Sequence, residues 1–277
     1  MKCGRVSQTA LKVGLIMITL NEKAGWKTRL PRGLAELTER LILAADVFGY
    51  GSRMISLNKK RWVVRLSEYC ETKIPGVFKG IGERKIFINE QVLAAIETGA
   101  TQVLVVGAGF DTLCLRLAPQ FPHVKFFEVD HPATSAAKAK GVTQEGQPEN
   151  MFLISADIKE TPLSKLMCRY EHWDSSIRSA VVAEGLFLYL ERKDVLGVFR
   201  EVAACTASGT RVAFSYGIEL EEHLFTNAIL HLIGEPWLSS CASADLPEYI
   251  GPGWTVIGTR KAHPKNALEG FAVAERL

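Results

Sequence analysis

The chain lacks any CxxC pair. Its six cysteines, Cys3, Cys70, Cys114, Cys168, Cys205 and Cys241, are scattered through 277 residues. That is not the dense spacing of a secreted disulfide scaffold, so reduced thiols in a cytoplasmic compartment are expected. Long apolar runs are missing too. The most hydrophobic early stretch, Val13 to Leu20, is bracketed by Lys12 and Asn21; it is too short to span a bilayer, and no small-residue cleavage site follows it. Neither a signal peptide nor an anchor is expected. A charge excess is absent as well: 33 Lys and Arg against 30 acids leave a formal +3, which gives no reason to expect nucleic acid or a membrane as partner. His131, His172, His223 and His231 have no HxxxH or i,i+4 partner, so no metal site is expected. Internal repeats and low-complexity tracts are missing. What is present is 47% hydrophobic content, enough for a full core, and residues 1–277 read as one domain rather than two.

The organising stretch is residues 101–132, TQVLVVGAGFDTLCLRLAPQFPHVKFFEVDHP. Val103 to Val106 is an unbroken apolar run, which predicts a strand covered on both faces. Gly107 and Gly109 allow a sharp turn and close approach to a ligand. Asp111 and Thr112 open an apolar-periodic helix that Pro119 closes. A second strand, Val124 to Val129, ends at Asp130, where an acid can accept two hydrogen bonds from a ribose diol. Thr112 stands where a dinucleotide fingerprint has its third glycine, and Asp111 would repel a pyrophosphate at the helix N-terminus. S-adenosylmethionine carries an ammonium and a sulfonium and no phosphate, so it tolerates the acid. The structural alternative is a plain N-cap at Asp111 and an ordinary strand-end charge at Asp130.

The first 98 residues predict a helical N-terminal region. Helices are expected over residues 8–20, 31–48, 52–71 and 84–97, with a loop over 73–83 because KIPGVFKGIGE holds so many Gly and Pro. The 52–71 stretch is basic, with Arg53, Lys59, Lys60, Arg61 and Arg65, and carries Trp62 and Tyr69. It reads as a solvated face or as an electropositive lid. Residues 99–277 predict an α/β core: strands at 151–155, 180–183 and 210–215 alternate with helices, the rhythm of a mostly parallel, doubly wound sheet. Residues 218–250 interrupt that rhythm as an insertion. The last two runs, 254–258 and 271–274, are too close for a crossover and predict an antiparallel pair.

Ligands of such sheets sit beyond the carboxyl ends of the strands. Three of the first four strands finish on acid there: Glu128 with Asp130, Asp157, and Glu184 in AEGLFLYL. A central-strand carboxylate needs a partner, either an internal salt bridge or a cationic ligand. Asp157 is placed to accept from an adenine amino group, with Ile158 packing on the ring.

Taken together, Arg84, GAGFDT at 107–112, FFEVDHP at 126–132, SADI at 155–158 and AEGLFLYL at 183–190 resemble the leucine carboxyl methyltransferase family of class I S-adenosylmethionine-dependent methyltransferases, including its bacterial small-molecule branch. The resemblance implies a seven-stranded Rossmann-like sheet under an N-terminal helical cap, with S-adenosyl-L-methionine as cofactor. By position it implies Arg84 on the cofactor carboxylate, Gly107 and Gly109 at the methionine part, and Asp130 on the ribose. It likewise implies Asp157 and Ile158 at the adenine, Glu184 near the methionine amino group, and Tyr189 nearby. Lys12 is the nearest match to the family's second basic residue. Where many bacterial members have Arg-x-Arg, this chain reads Arg84-Lys85-Ile86.

A carboxylate acceptor is already ionised and needs no base, whereas a hydroxyl acceptor requires one; Tyr216, His223 and His231 are then the candidates. The expected activity is O-methylation of a small molecule. The alternatives are methylation of a protein C-terminal carboxylate, a cofactor-binding regulatory protein without transferase activity, and an NAD-dependent reductase.

Overall fold

Gln102–Val106 forms β1, buried at every residue, at the centre of a computed structural model that describes residues 6–46, 49–218, 237–263 and 268–277. β1 pairs in parallel with β2 (Lys125–Asp130) on one side and β4 (Ser179–Ala183) on the other. Beyond them lie β3 (Met151–Ser155) next to β2 and β5 (Arg211–Gly217) next to β4, both parallel. The closing hairpin, β6 (Trp254–Lys261) and β7 (Glu269–Arg276), joins through β7 antiparallel to β5. The sheet order is β3-β2-β1-β4-β5-β7-β6. The chain leaves β1 toward β2 on one side and later toward β4 on the other. The carboxyl ends of β1 and β4 therefore open a crevice, where such sheets bind ligands.

Alternate residues of β1 serve two cores. Val103 and Val105 join Phe126, Ile88 and Leu41 on one face. Leu104 and Val106 join Phe127, Phe199, Phe214 and Trp173 on the other. The first face is covered by helices α1 (Gln8–Asn21), α2 (Leu34–Ala45), α5 (Lys79–Glu97), α6 (Leu113–Leu117) and α7 (Pro132–Gln144). The second carries α8 (Leu163–Met167), α9 (Arg192–Ala204) and α10 (Leu246–Ile250). Close packing explains two glycines: a Cβ on Gly14 of α1 would come within 2.9 Å of Thr38 and Ile42 on α2, and one on Gly141 of α7 within 2.7 Å of Leu41.

The N-terminal region departs from the sequence expectation in two places. The single helix expected over 52–71 is a pair, α3 (Gly51–Asn58) and α4 (Arg61–Lys73). Asn58 ends the first: its amide donates to the Met54 carbonyl at 2.9 Å and its Oδ1 accepts from Thr19 at 3.0 Å, a side-chain bond that competes with helix continuation. The loop expected over 73–83 turns helical at Lys79. Glu71 starts that helix, its carboxylate accepting the N–H groups of Gly76 at 2.6 Å and of Phe78 and Lys79 at 3.0 Å. The Gly82 that suggested a loop instead admits Trp26, whose ring would lie 2.3 Å from a Cβ there.

Of the expected insertion, residues 219–236 lie outside the described residues. Its remainder makes a bridge from Ser240 to Gly217 and then α10. Cys70, Cys114, Cys168 and Cys205 are free thiols.

Candidate functional site

The turn after β1 is fixed by the neighbouring strand. Gly107 (φ 72°) donates to the Val129 carbonyl at 2.8 Å, and Gly109 (φ 50°) donates to the Asp130 carboxylate. Left-handed φ values of this kind favour glycine. A Cβ on Gly109 would also lie 2.8 Å from that of Ala10, so α1 roofs the turn directly. The other Asp130 oxygen accepts from the His131 N–H at 2.6 Å. Two backbone bonds thus orient this carboxylate while leaving lone pairs on each oxygen. Burial pushes its pKa up despite those donors.

Asp157 follows β3 and is partly open. One oxygen accepts from the Lys159 N–H at 2.9 Å, and the other stands 4.0 Å from His131 Nε2. Ile158 is half-buried and packs against the second core. Glu184 follows β4, and Tyr189 ends the 3-10 turn Phe187–Tyr189. All of these, with Arg84 from α5 and Lys12 from α1, line one cleft of about 1030 Å³. Apolar side chains line it as well, including Val13, Ile16, Met17, Ile74, Val77 and Leu188.

At the floor lies a buried ionic network. Arg84 donates from Nε to Glu184 at 3.0 Å and from Nη1 to Glu269 at 2.6 Å. Lys85 holds the same Glu184 oxygen at 2.9 Å and Asp111 at 2.5 Å. The second Asp111 oxygen accepts the Leu113 N–H at 2.7 Å, opening α6. Asp111 is therefore both the helix cap and a buried ion-pair partner. Burial alone would lower the pKa of Arg84 and Lys85, but the carboxylates of Glu269 and Glu184, and of Asp111 and Glu184, reverse this and hold both above their usual values. For Asp111, burial would raise the pKa; Lys85 and then Lys138 hold it well below the carboxylate range. Two cations meet three acids, so the network is net negative by one charge. The Glu184 Oε2 is buried without a hydrogen-bond partner.

Several expectations need restating against this geometry. Arg84 is committed to two protein carboxylates and is not a bare anion receptor. Glu128 does not reach the cleft; it sits in the core, paired with Lys138 at 2.5 Å, because its side chain leaves β2 on the face covered by α7. Tyr216 is fully buried, its hydroxyl 3.0 Å from Ser243 Oγ, and is absent from the cleft lining. Its ring fills the space left by Gly270. His223 and His231 lie outside the described residues. Among the described residues no group of His, Cys, Asp and Glu could hold a metal ion.

Sequence reasoning missed Lys85 and Glu269. Lys85 had a signal, adjacency to Arg84 in the same helix, where both prove buried. Glu269 had none. It opens β7 opposite Gly217, and an antiparallel strand starts where its parallel neighbours end.

An open sheet of this order, with an antiparallel closing strand and acids gathered at the tips of its parallel strands, is the Rossmann-like methyltransferase fold. The leucine carboxyl methyltransferase model matches residues 36–203, and the chain belongs to that family. It is 27% identical over 175 residues to a Streptomyces coelicolor protein provisionally named an S-adenosyl-L-methionine-dependent methyltransferase, covering 62% of this chain and 60% of that one. A similarly named Mycolicibacterium gilvum protein is 27% identical over 198 residues, 66% of this chain and 63% of its own length. The matched stretch thus spans less than two thirds of these relatives. A solved structure from Thermobifida fusca, provisionally described as a methyltransferase, superposes with a TM-score of 0.62 at 17% identity, covering 91% of this chain and 97% of the other.

Proposed function

We propose that the cleft binds S-adenosylmethionine and that the protein methylates an oxygen, a carboxylate or hydroxyl, of a small molecule. The observation that carries this reading is Glu184: one oxygen anchors the ionic network and the other is buried with no donor. An unpaired acceptor in such a place is costly unless a ligand supplies a donor. S-adenosylmethionine fits in charge as well, since its ammonium, sulfonium and carboxylate sum to one positive charge against the network's one negative. A dinucleotide's phosphates would add negative charge beside Asp111 and Asp130.

Asp130 accepts from the ribose hydroxyls, Asp157 from the adenine amino group, and Ile158 packs on the ring. Glu184 takes the ammonium, while Arg84, held between Glu184 and Glu269, keeps that carboxylate aimed. When bound, the cofactor supplies an electrophilic methyl group. The chain's contribution is positioning and the exclusion of water by the α1 roof over the glycine turn. A carboxylate acceptor is ionised at neutral pH and needs no base from the cleft. With a hydroxyl acceptor the base falls to His223 or His231, since Tyr216 is walled into the core.

The test is calorimetry with S-adenosylmethionine, S-adenosylhomocysteine and NAD, followed by incubation of labelled cofactor with small acids and phenols. Binding of the first two and transfer of label support the reading. Binding of NAD alone overturns the cofactor; cofactor binding with no transfer to any acid, phenol or metabolite extract overturns the activity.

A further inference from the structure

The α3–α4 pair is built inside out. At 100° per residue, Trp62, Leu66 and Tyr69 fall within about 60° of arc on α4, and they are 57%, 51% and 60% exposed. Opposite them lie Ser67 and Glu71, the helix's two buried residues. A helix resting on a core turns its apolar stripe inward; α4 turns it outward and spends its inner face on the cap that starts α5. Leu57 near the end of α3 and Tyr50 just ahead of it are exposed as well.

The positive charge is concentrated in the same place. Residues 50–73 hold six Lys and Arg and two acids, a net +4 against +3 for the whole chain. Arg53 lies over the Tyr50 ring and Lys73 over that of Tyr69, at 6.0 and 5.5 Å, so cations and aromatics share one surface.

We propose that the exposed face of α3 and α4 docks the protein on an anionic lipid surface, with Trp62, Leu66 and Tyr69 entering the headgroup boundary and the surrounding Lys and Arg meeting the lipid charges. Trp and Tyr suit that boundary, having an apolar body and a polar tip. Among the described residues no helix is long and apolar enough to cross a membrane, so the contact is with the surface. A second copy of the chain fits poorly: a two-fold contact sets a patch against its own image, here one cationic surface against another, even with Lys59 paired to Glu39 of α2. Nucleic acid would use the cations and the aromatic rings but leaves Leu57 and Leu66 without a partner. A protein would need an acidic groove matched to this stripe, whereas a fluid boundary conforms to it. The near-neutral charge that led to the expectation of no membrane contact is an average that hides this cluster.

The experiment is flotation of the full chain with phosphatidylcholine vesicles, and with vesicles containing roughly one third phosphatidylserine, the regime of anionic surface potential. Two variants accompany it, Trp62→Ser/Leu66→Ser/Tyr69→Ser and Arg61→Ala/Arg65→Ala, with circular dichroism melts to verify folding; all five positions are exposed. The protein should float only with phosphatidylserine and release at high salt. Removing the two arginines should weaken binding roughly thirtyfold, from the contribution of each cation near such a surface, and the serine variant should not float. Failure of the wild type to float overturns the proposal, and so does binding that the serine variant retains. A wild-type dimer that the serine variant dissolves, seen by light scattering, assigns the face to a second copy and likewise overturns it.

Discussion

Replacing Lys85 by Met removes one of two cations from the buried network and leaves Asp111 and Glu184 each short of an ion-pair partner. Lys85 is 8% exposed and both its partners are buried, so the cost is that of breaking a buried pair, about 3–5 kcal/mol. With unfolding entropy near 2.1 cal/mol/K per residue, a chain of this length carries about 0.6 kcal/mol/K, and the melting temperature should fall by roughly 5–9 °C. Removing Asp111 as well, as Lys85→Met/Asp111→Leu, takes away both desolvated charges and should recover much of the loss. The pH dependence carries a sign. Asp111 has a depressed pKa, so its contribution is present above the ordinary carboxylate value of about 3.9 and is lost as pH falls through its folded value. Lys85 has a raised one, so its contribution is present below about 10.4 and is lost as pH rises through its folded value. Between those limits the pair's contribution should be flat in wild type. In Lys85→Met, Asp111 loses its cation and titrates higher, so stability should begin to decline at milder acidity. Urea denaturation across that range measures all of this. A single variant costing under about 1 kcal/mol, or a double variant whose loss is the sum of the two singles, refutes the network.

Asp130→Ala should weaken S-adenosylmethionine binding by about 1.5–3 kcal/mol, read by calorimetry. Because burial pushes Asp130 up, wild-type affinity should fall with acid starting above the ordinary aspartate range, and Asp130→Asn should abolish that limb. Glu71→Ala removes the acceptor for three N–H groups at the start of α5 and should cost about 1–2 kcal/mol in urea; an unchanged midpoint refutes the cap. Gly82→Ala gains up to about 1 kcal/mol in helix propensity, but its Cβ would meet Trp26 at 2.3 Å. Overpacking of about 1–3 kcal/mol should prevail, and a stabilised variant would show that Trp26 moves aside without cost.

The core half of the molecule was legible because its elements are local. Val103 to Val106, the two glycines and Asp130 lie within one short stretch, and the same backbone that forms the turn brings Asp130 to it. The N-terminal helices were less legible for a matching reason. Gly80 and Gly82 read as loop when only propensity is weighed, yet both sit in the helix where neighbours pack closely: a Cβ would lie 3.0 Å from Ala262 at Gly80 and 2.3 Å from Trp26 at Gly82. The break at Asn58 depends on Thr19, 39 residues away.

The sequence by itself determined the alternation of strand and helix, the acids at the strand tips and the family, since each rests on short periodic signals read along the chain. Tertiary structure alone decided how those charges balance. Glu128 turned into the core to Lys138, Glu184 met Arg84 and Lys85, and Glu269 arrived from a strand 185 residues beyond Arg84. A buried charge is set by what surrounds it in space, and spacing along the chain says little about that. The outward stripe on α4 followed the same rule: its pattern was visible in the sequence, but which side faced water depended on the cap that Glu71 makes to α5.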